Sequence, residues 1–405
     1  MHRQRDARPR VRYVLGLMAG TSGDGIDAAC VEVRGTGTAM RCALVLHHHR
    51  PYPAALRRRV LAMMAPAATS TEQLARLHAE LGEAFGRVAC EAIDWLPVAQ
   101  RPTLVGLAGQ TVCHLPGNAR RRTVTLQLGD AARVAAQTGL VTVADFRQAD
   151  VAVGGQGAPL VPWTDWVLFG RSRVARIVLN IGGIANLTWL PAGGGEEDVT
   201  AFDTGPGNMV IDALMRHVTA GRRQMDRDGR CAGRGRVLEG VLAMWLQHPY
   251  FRKRPPKSTG REIFGQPFVD GQLTFLKRAS RSSDDWIATA TALTARSVAR
   301  ACRRFLPLPR TAPGRSTSRA CCELIVAGGG ARNATLLSML AAELPCVKVV
   351  SIDTFGIDAQ AKEAMSFAML AAARIDNVSA CLPQVTGATA RPLLGHVSVP
   401  ASACR

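Results

Sequence analysis

Gly20-Thr21-Ser22-Gly23-Asp24-Gly25-Ile26-Asp27 follows an apolar stretch, Tyr13 to Met18, and combines glycines, two hydroxyls and two carboxylates within eight residues. Glycines let backbone N–H groups approach an anion, hydroxyls orient phosphate oxygens, and carboxylates hold a hydrated cation. That chemistry suits a nucleotide with Mg²⁺. The run lacks the G-x-x-x-x-G-K-[ST] spacing of a P-loop, and Ala28 to Val33 after it reads as a second strand, so the turn is predicted to be a β-hairpin tip. A glycine- and aspartate-rich hairpin that binds nothing has the same local pattern.

Other runs gather polar groups where packing does not require them. Asp145-Phe146-Arg147 ends a strand-like segment and is followed by Gly154 to Pro162, a loop too rich in glycine for a helix. Asp145, Arg147 and Gln156 would line a cleft with groups for sugar hydroxyls or a carboxylate; the alternative is an ion pair bracing a hinge. In Phe202-Asp203-Thr204-Gly205-Pro206-Gly207-Asn208, a carboxylate follows a strand and precedes a helix entrance. Asp203 is either a plain N-cap or a general base. Pro256 to Glu262 presents Lys257, Ser258, Thr259 and Arg261 on a loop suited to an anion or simply to water. Gly328-Gly329-Gly330, between a buried strand and a helix that starts near Asn333, forms a second anion or adenosine site or a plain packing turn.

The elements that carry these residues repeat. Strand-like segments near 13–18, 28–33 and 41–47 precede a helix announced by the capping box Ser70/Gln73 and by Leu74, Leu77, Leu81, Phe85 and Val88. Strands at 103–107 and 141–144 complete a βββαβαβ order. A second start follows: strands at 175–181, 186–190 and 199–202 with the turn Gly182-Gly183, an amphipathic helix over 207–218, and the strand Leu324 to Ala327. Two halves that each open with a glycine-tipped hairpin suggest a duplicated α/β unit facing itself across a cleft.

Composition narrows the function classes. At 405 residues with 47% apolar and 20% charged residues, the chain is globular and long enough for more than one core. Nothing approaches a membrane span, and the basic start lacks the apolar stretch of a secretory signal, so a cytoplasmic protein is expected. The charge of +19 invites a nucleic-acid reading, but only five of the fifty basic residues are lysines and the arginines are scattered, so no nucleic-acid partner is expected. Eleven cysteines without a C-x-x-C pair form neither a zinc site nor a disulfide framework. His47-His48-His49 has no second ligand cluster to meet and reads as a solvated strand end. Leu306 to Ala320 reads as an exposed loop.

Taken in order, Tyr13 to Asp27, Gly109-Gln110-Thr111, Ala144 to Arg147, Gly154 to Pro162, Asn180 to Asn186, Phe202 to Asn208, Lys257 to Glu262, Gly328 to Asn333 and Val385 to Ala388 resemble the anhydro-N-acetylmuramic acid kinase family. The resemblance implies an actin-like (RNase H-like) α/β fold of two duplicated domains around an interdomain cleft, here 12–170 and 171–405, with a terminal helix able to pack back on the first. It implies that ATP, water and 1,6-anhydro-N-acetylmuramic acid give ADP and N-acetylmuramic acid 6-phosphate, with small-molecule partners, no membrane partner and a homodimer left open. Asp203 matches the catalytic aspartate and Glu363 a glutamate near the sugar. ATP binding falls to Gly20 through Asp27, Gly182, Gly183, Gly329, Gly330 and Asn333, with Asp24 or Asp27 the route to Mg²⁺. Gln110, Asp145, Arg147 and Gln156 face the sugar. The chain departs from the family pattern at Ala19, Gly23 and Ala108, where a serine, a bulky apolar residue and a histidine are usual. The rival readings are a kinase for another sugar and a ligand-binding pseudokinase.

Overall fold

A computed structural model describes residues 11–65, 67–117, 121–308 and 322–401. The chain divides into two compact units: one runs to Leu168 and resumes at Gly356, and the other is Phe169–Phe355. Most of the basic loop foreseen at 306–320 lies outside the described residues.

In the first unit, β1 (Val11–Ala19), β2 (Gly25–Arg34) and β3 (Arg41–Pro51) form an antiparallel meander, with Val14, Leu15 and Leu17 of β1 fully buried. β4 (Leu104–Leu115) pairs parallel with β1, β5 (Val124–Leu128) folds back on β4, and β6 (Val141–Ala144) pairs parallel with β4. The helix Thr71–Asp94 begins at the anticipated capping box and buries Leu77, Leu81, Phe85 and Val88 against this sheet. Its apolar stripe at helical spacing is what makes it a sheet-covering element.

The second unit repeats the plan. β7 (Ala175–Ile181), β8 (Ile184–Leu190) and β9 (Thr200–Pro206) form an antiparallel meander, and β10 (Cys322–Ala327) pairs parallel with β7 and β11 (Val347–Ser351) with β10. A last strand, β12 (His396–Ser398), returns to the first sheet beside β6. Spatial order is therefore β3-β2-β1-β4-β6 in one sheet and β9-β8-β7-β10-β11 in the other, the same 3-2-1-4-5 arrangement twice. The duplication expected from two glycine-tipped hairpins is present at the level of strand order and direction.

One contact in the first unit governs how closely its layers meet. Gly16 of β1 and Gly106 of β4 are register partners, and together they leave a flat patch on which the helix Lys362–Ile375 lies. A Cβ on Gly16 would stand 1.8 Å from the Ala364 carbonyl oxygen, and one on Gly106 would stand 2.2 Å from that of Phe367. Both obstacles are backbone, which cannot swing aside. Gly16→Ala is expected to destabilise the protein by about 3 kcal/mol through overpacking; urea unfolding measures it, and a change below about 0.5 kcal/mol would show that the helix shifts freely.

Candidate functional site

The turn between β1 and β2 is a hairpin tip, with Gly23 N–H donating to the Gly20 carbonyl at 3.1 Å. Gly23 sits at φ +61°, so a glycine answers a left-handed backbone demand there. Thr21, Ser22 and Asp24 are exposed, and Ser22 Oγ donates to Asp24 Oδ1 at 2.7 Å. Gln110 is fully buried: its amide donates to the Gly20 carbonyl at 3.0 Å and its Oε1 accepts from Tyr52 at 3.2 Å. It braces the turn from beneath.

Only His49 of the histidine triplet is exposed, and the triplet is not a strand end. It falls within β3, and His47 and His49 both bond Asp27 Oδ1, at 2.9 and 3.0 Å, while His48 meets Glu91 at 3.1 Å. The histidine bonds lower the Asp27 pKa against the opposing effect of burial, and that of His49 is raised by its bond to Asp27. Alternation along a strand sends residues 47 and 49 to one face, which is why two of the three share a carboxylate.

The alternative of an Asp145–Arg147 ion pair is not what the structure shows, since the two side chains have separate partners. Arg147 donates to the Gly157 carbonyl at 2.8 Å, and Asp145, exposed and at φ +54°, lies 3.9 Å from His396. Burial lowers the Arg147 pKa, while the charges of Glu363 and Asp150 act against that shift. Gln156 Oε1 accepts from Gly117 N–H at 3.0 Å and Thr123 Oγ1 at 3.2 Å, and its own N–H donates to the Thr386 carbonyl. Glu363 occupies the first turn of the helix Lys362–Ile375, whose Lys362 pairs with Asp165 at 2.6 Å with both side chains 2% exposed.

Sequence reasoning passed over Asp150, which ties this region together. Fully buried, it accepts from Gly157 N–H and from Thr386 Oγ1, both at 2.7 Å, and so joins the glycine-rich loop to the Val385–Ala388 run. Its only signal in the sequence was a carboxylate among apolar residues in Gln148–Ala152.

In the second unit, parallel pairing sets Ala327 beside Asn180, which brings the Gly182-Gly183 turn and Gly328–Gly330 to the same end of the sheet. The first turn clasps the helix Met209–Val218: Asn208 N–H donates to the Gly182 carbonyl at 2.8 Å and Gly207 N–H to that of Gly183 at 2.9 Å. Asn333 is the N-cap of the helix Ala334–Glu343, its Oδ1 accepting from Leu336 N–H at 2.9 Å. Thr335 meanwhile donates to the Gly229 carbonyl, which brings in the segment from Asp226 that the sequence did not single out. A cavity of about 600 Å³ lined by Arg222, Arg227, Asp226 and Arg230 opens beside it.

Asp203 lies within β9 opposite Asn186 and is not a helix cap; the following helix starts at Met209. Thr259 N–H donates to Asp203 Oδ2 at 2.9 Å, Tyr250 Oη donates to its carbonyl at 2.7 Å, and its N–H donates to the Lys257 carbonyl at 3.1 Å. Burial pushes the Asp203 pKa up to about 7, opposed by the Thr259 bond and the Lys257 charge, with Glu262 adding to the rise. A half-buried carboxylate that gains and loses a proton near neutrality is the equipment of a general base.

A sheet order used twice, with glycine turns at strand ends and such a carboxylate on the third strand of the second sheet, makes a duplicated α/β protein with a candidate acid–base group. Residues 12–400 match the anhydro-N-acetylmuramic acid kinase family. An anhydro-N-acetylmuramic acid kinase from Caldanaerobacter subterraneus subsp. tengcongensis is 39% identical over 394 residues, covering 96% of this chain and 97% of its own. One from Salinibacter ruber is 45% identical over 398 residues, covering 96% of each. The chain belongs to the anhydro-N-acetylmuramic acid kinase family.

The raised Asp203 pKa has a cost in stability. Its folded-state pKa, about 7, lies above the 3.8 of a free carboxyl, so the stabilisation from holding the proton is complete below about pH 4 and is lost as pH rises through 7. Asp203→Asn is therefore expected to melt above the wild type at pH 8 and to converge with it toward pH 4; an equal or lower melting temperature at pH 8 would contradict the burial penalty.

Proposed function

We propose that this chain is the ATP-dependent kinase that opens 1,6-anhydro-N-acetylmuramic acid with water and phosphorylates it to N-acetylmuramic acid 6-phosphate, a step in peptidoglycan recycling. The observation that carries this reading is Asp203, a half-buried carboxylate on β9 met by the Thr259 N–H, which burial pushes up to a pKa of about 7. The sugar's chemistry explains the need for such a base, because an anhydro sugar has no 6-hydroxyl until its bridge is broken. Asp203 takes a proton from water, the water oxygen bonds to the anomeric carbon, and the C1–O6 bond breaks. The freed 6-oxygen then attacks the γ-phosphorus and ADP leaves; Asp203 returns its proton to solvent.

Glu363, at the start of its helix, orients the attacking water in this scheme. Asp145, Arg147, Gln110 and Gln156 serve the sugar. The Gly20–Asp27 turn, with Thr21, Ser22 and Asp24 exposed, and the paired glycine turns of the second unit receive the nucleotide phosphates, and Asn333 fixes the helix next to them. Among the described residues no group of three acidic, histidine or cysteine side chains is arranged to hold a metal. That suits Mg²⁺, which keeps its waters and arrives with phosphates. Asp24, exposed, and Asp27, held by histidines on one oxygen, are the carboxylates that would hold it, and bound there it neutralises phosphate charge. Among the described residues no helix is long and apolar enough to cross a membrane, and buried Cys30, Cys302 and Cys381 remain thiols, which favours a cytoplasmic enzyme.

The test incubates the protein with ATP, Mg²⁺ and the anhydro sugar in ¹⁸O-labelled water. The expected product is a 6-phosphate with label at the anomeric position, and Asp203→Asn should lower kcat by about 10³-fold. Unlabelled phosphosugar, or full activity in the variant, would overturn the assignment of the base; no product from the wild type would overturn the function.

A further inference from the structure

Lys257 is one of only five lysines in a chain whose other forty-five basic residues are arginines. Its ammonium lies 4.7 Å from the centroid of the Tyr250 ring, 5.1 Å from Phe305 and 5.9 Å from Phe202. All three fall within the range at which a cation is attracted to a ring face. A compact ammonium can sit among three rings.

The rings come from three different elements. Phe202 belongs to β9, Tyr250 to the turn Pro249–Arg252, and Phe305 to the end of the long helix Ser283–Phe305. Two hydrogen bonds, Asp203 N–H to the Lys257 carbonyl and Thr259 N–H to the side-chain Oδ2 of Asp203, strap residues 257–259 along β9. Tyr250 serves both residues, since its hydroxyl donates to the Asp203 carbonyl while its ring faces the ammonium. The cage and the carboxylate are thus one construction.

We propose that Lys257 is a positioning residue for the reaction, whose caged positive charge keeps Asp203 ionised and able to accept the proton of the attacking water. This rests on Asp203 being the base. The charged groups facing the pair are Glu262, which opposes ionisation of Asp203, and Arg304 and Lys253, which oppose charging of Lys257. Burial, with the charges of Arg304 and Lys253 and against that of Asp203, brings the Lys257 pKa down to about 8, so at neutral pH the ammonium still carries its charge.

Profiles of kcat/KM against pH for wild type, Lys257→Met, Lys257→Gln and Lys257→Arg test this, with ADP release as the readout. Methionine fills the cage without charge, and glutamine covers the case in which the methionine variant does not fold. The acidic limb is expected to move up by about one pH unit in either neutral variant, a tenfold loss below the limb that recovers toward pH 9. KM values for ATP and sugar should stay within about twofold, and arginine should restore the limb. An unmoved limb overturns the proposal, and a tenfold rise in KM for ATP with an unmoved limb would instead make Lys257 a phosphate contact. Asp203→Asn separates the two levels: wild-type activity there removes the base itself, whereas an inactive Asp203→Asn beside an unshifted Lys257→Met removes only the role of Lys257.

Discussion

In both sheets the first strand sits at the centre, antiparallel to the second and parallel to the fourth, and the chemistry depends on this pairing. The parallel contact fixes which strand ends lie side by side. In the first unit it puts Gln110 of β4 next to Ala19, just before the hairpin turn it braces. In the second it puts Gly328 beyond Ala327 and next to the Gly182 turn. Open α/β sheets expose ligand-binding loops at the carboxyl ends of their parallel strands, and here the glycines of each unit collect at that end.

The second consequence is electrostatic. A carboxylate on a packed strand loses water it would keep on a loop, and Asp203 is compensated by a single backbone donor, the Thr259 N–H. A fully compensated carboxylate would be a poor base, since each added donor lowers its pKa. Asp150 is held differently, with donors on both oxygens, and fastens a loop. The same side chain thus fastens a loop from the helix Gln148–Ala152 and stands sparsely paired on β9.

Much of this was legible in the sequence because it was local. The hairpin turns, the Ser70 capping box, the helix after Gly207 and the carboxylate at 203 all declare themselves within a few residues. What was missed depends on partners far along the chain. The histidine triplet looked solvated because Asp27 reaches it only through the β2–β3 register, and the partner of Arg147 was not legible because the Gly157 carbonyl lies ten residues further on. Gly16 and Gly106 gave no signal, since their purpose is a helix more than 250 residues later. Spacing reports what neighbours do, and these contacts are made by strangers.

That helix bears on how the protein comes into being. The strands it covers belong to the first 115 residues, yet its own first residue is Lys362. A ribosome working at about 10 residues per second leaves the bare glycine face of the nascent sheet waiting for some tens of seconds while all of Phe169–Phe355 is made. During synthesis the inserted unit has its entire sequence available before the surrounding one does, so the order of maturation runs from the middle of the chain outward.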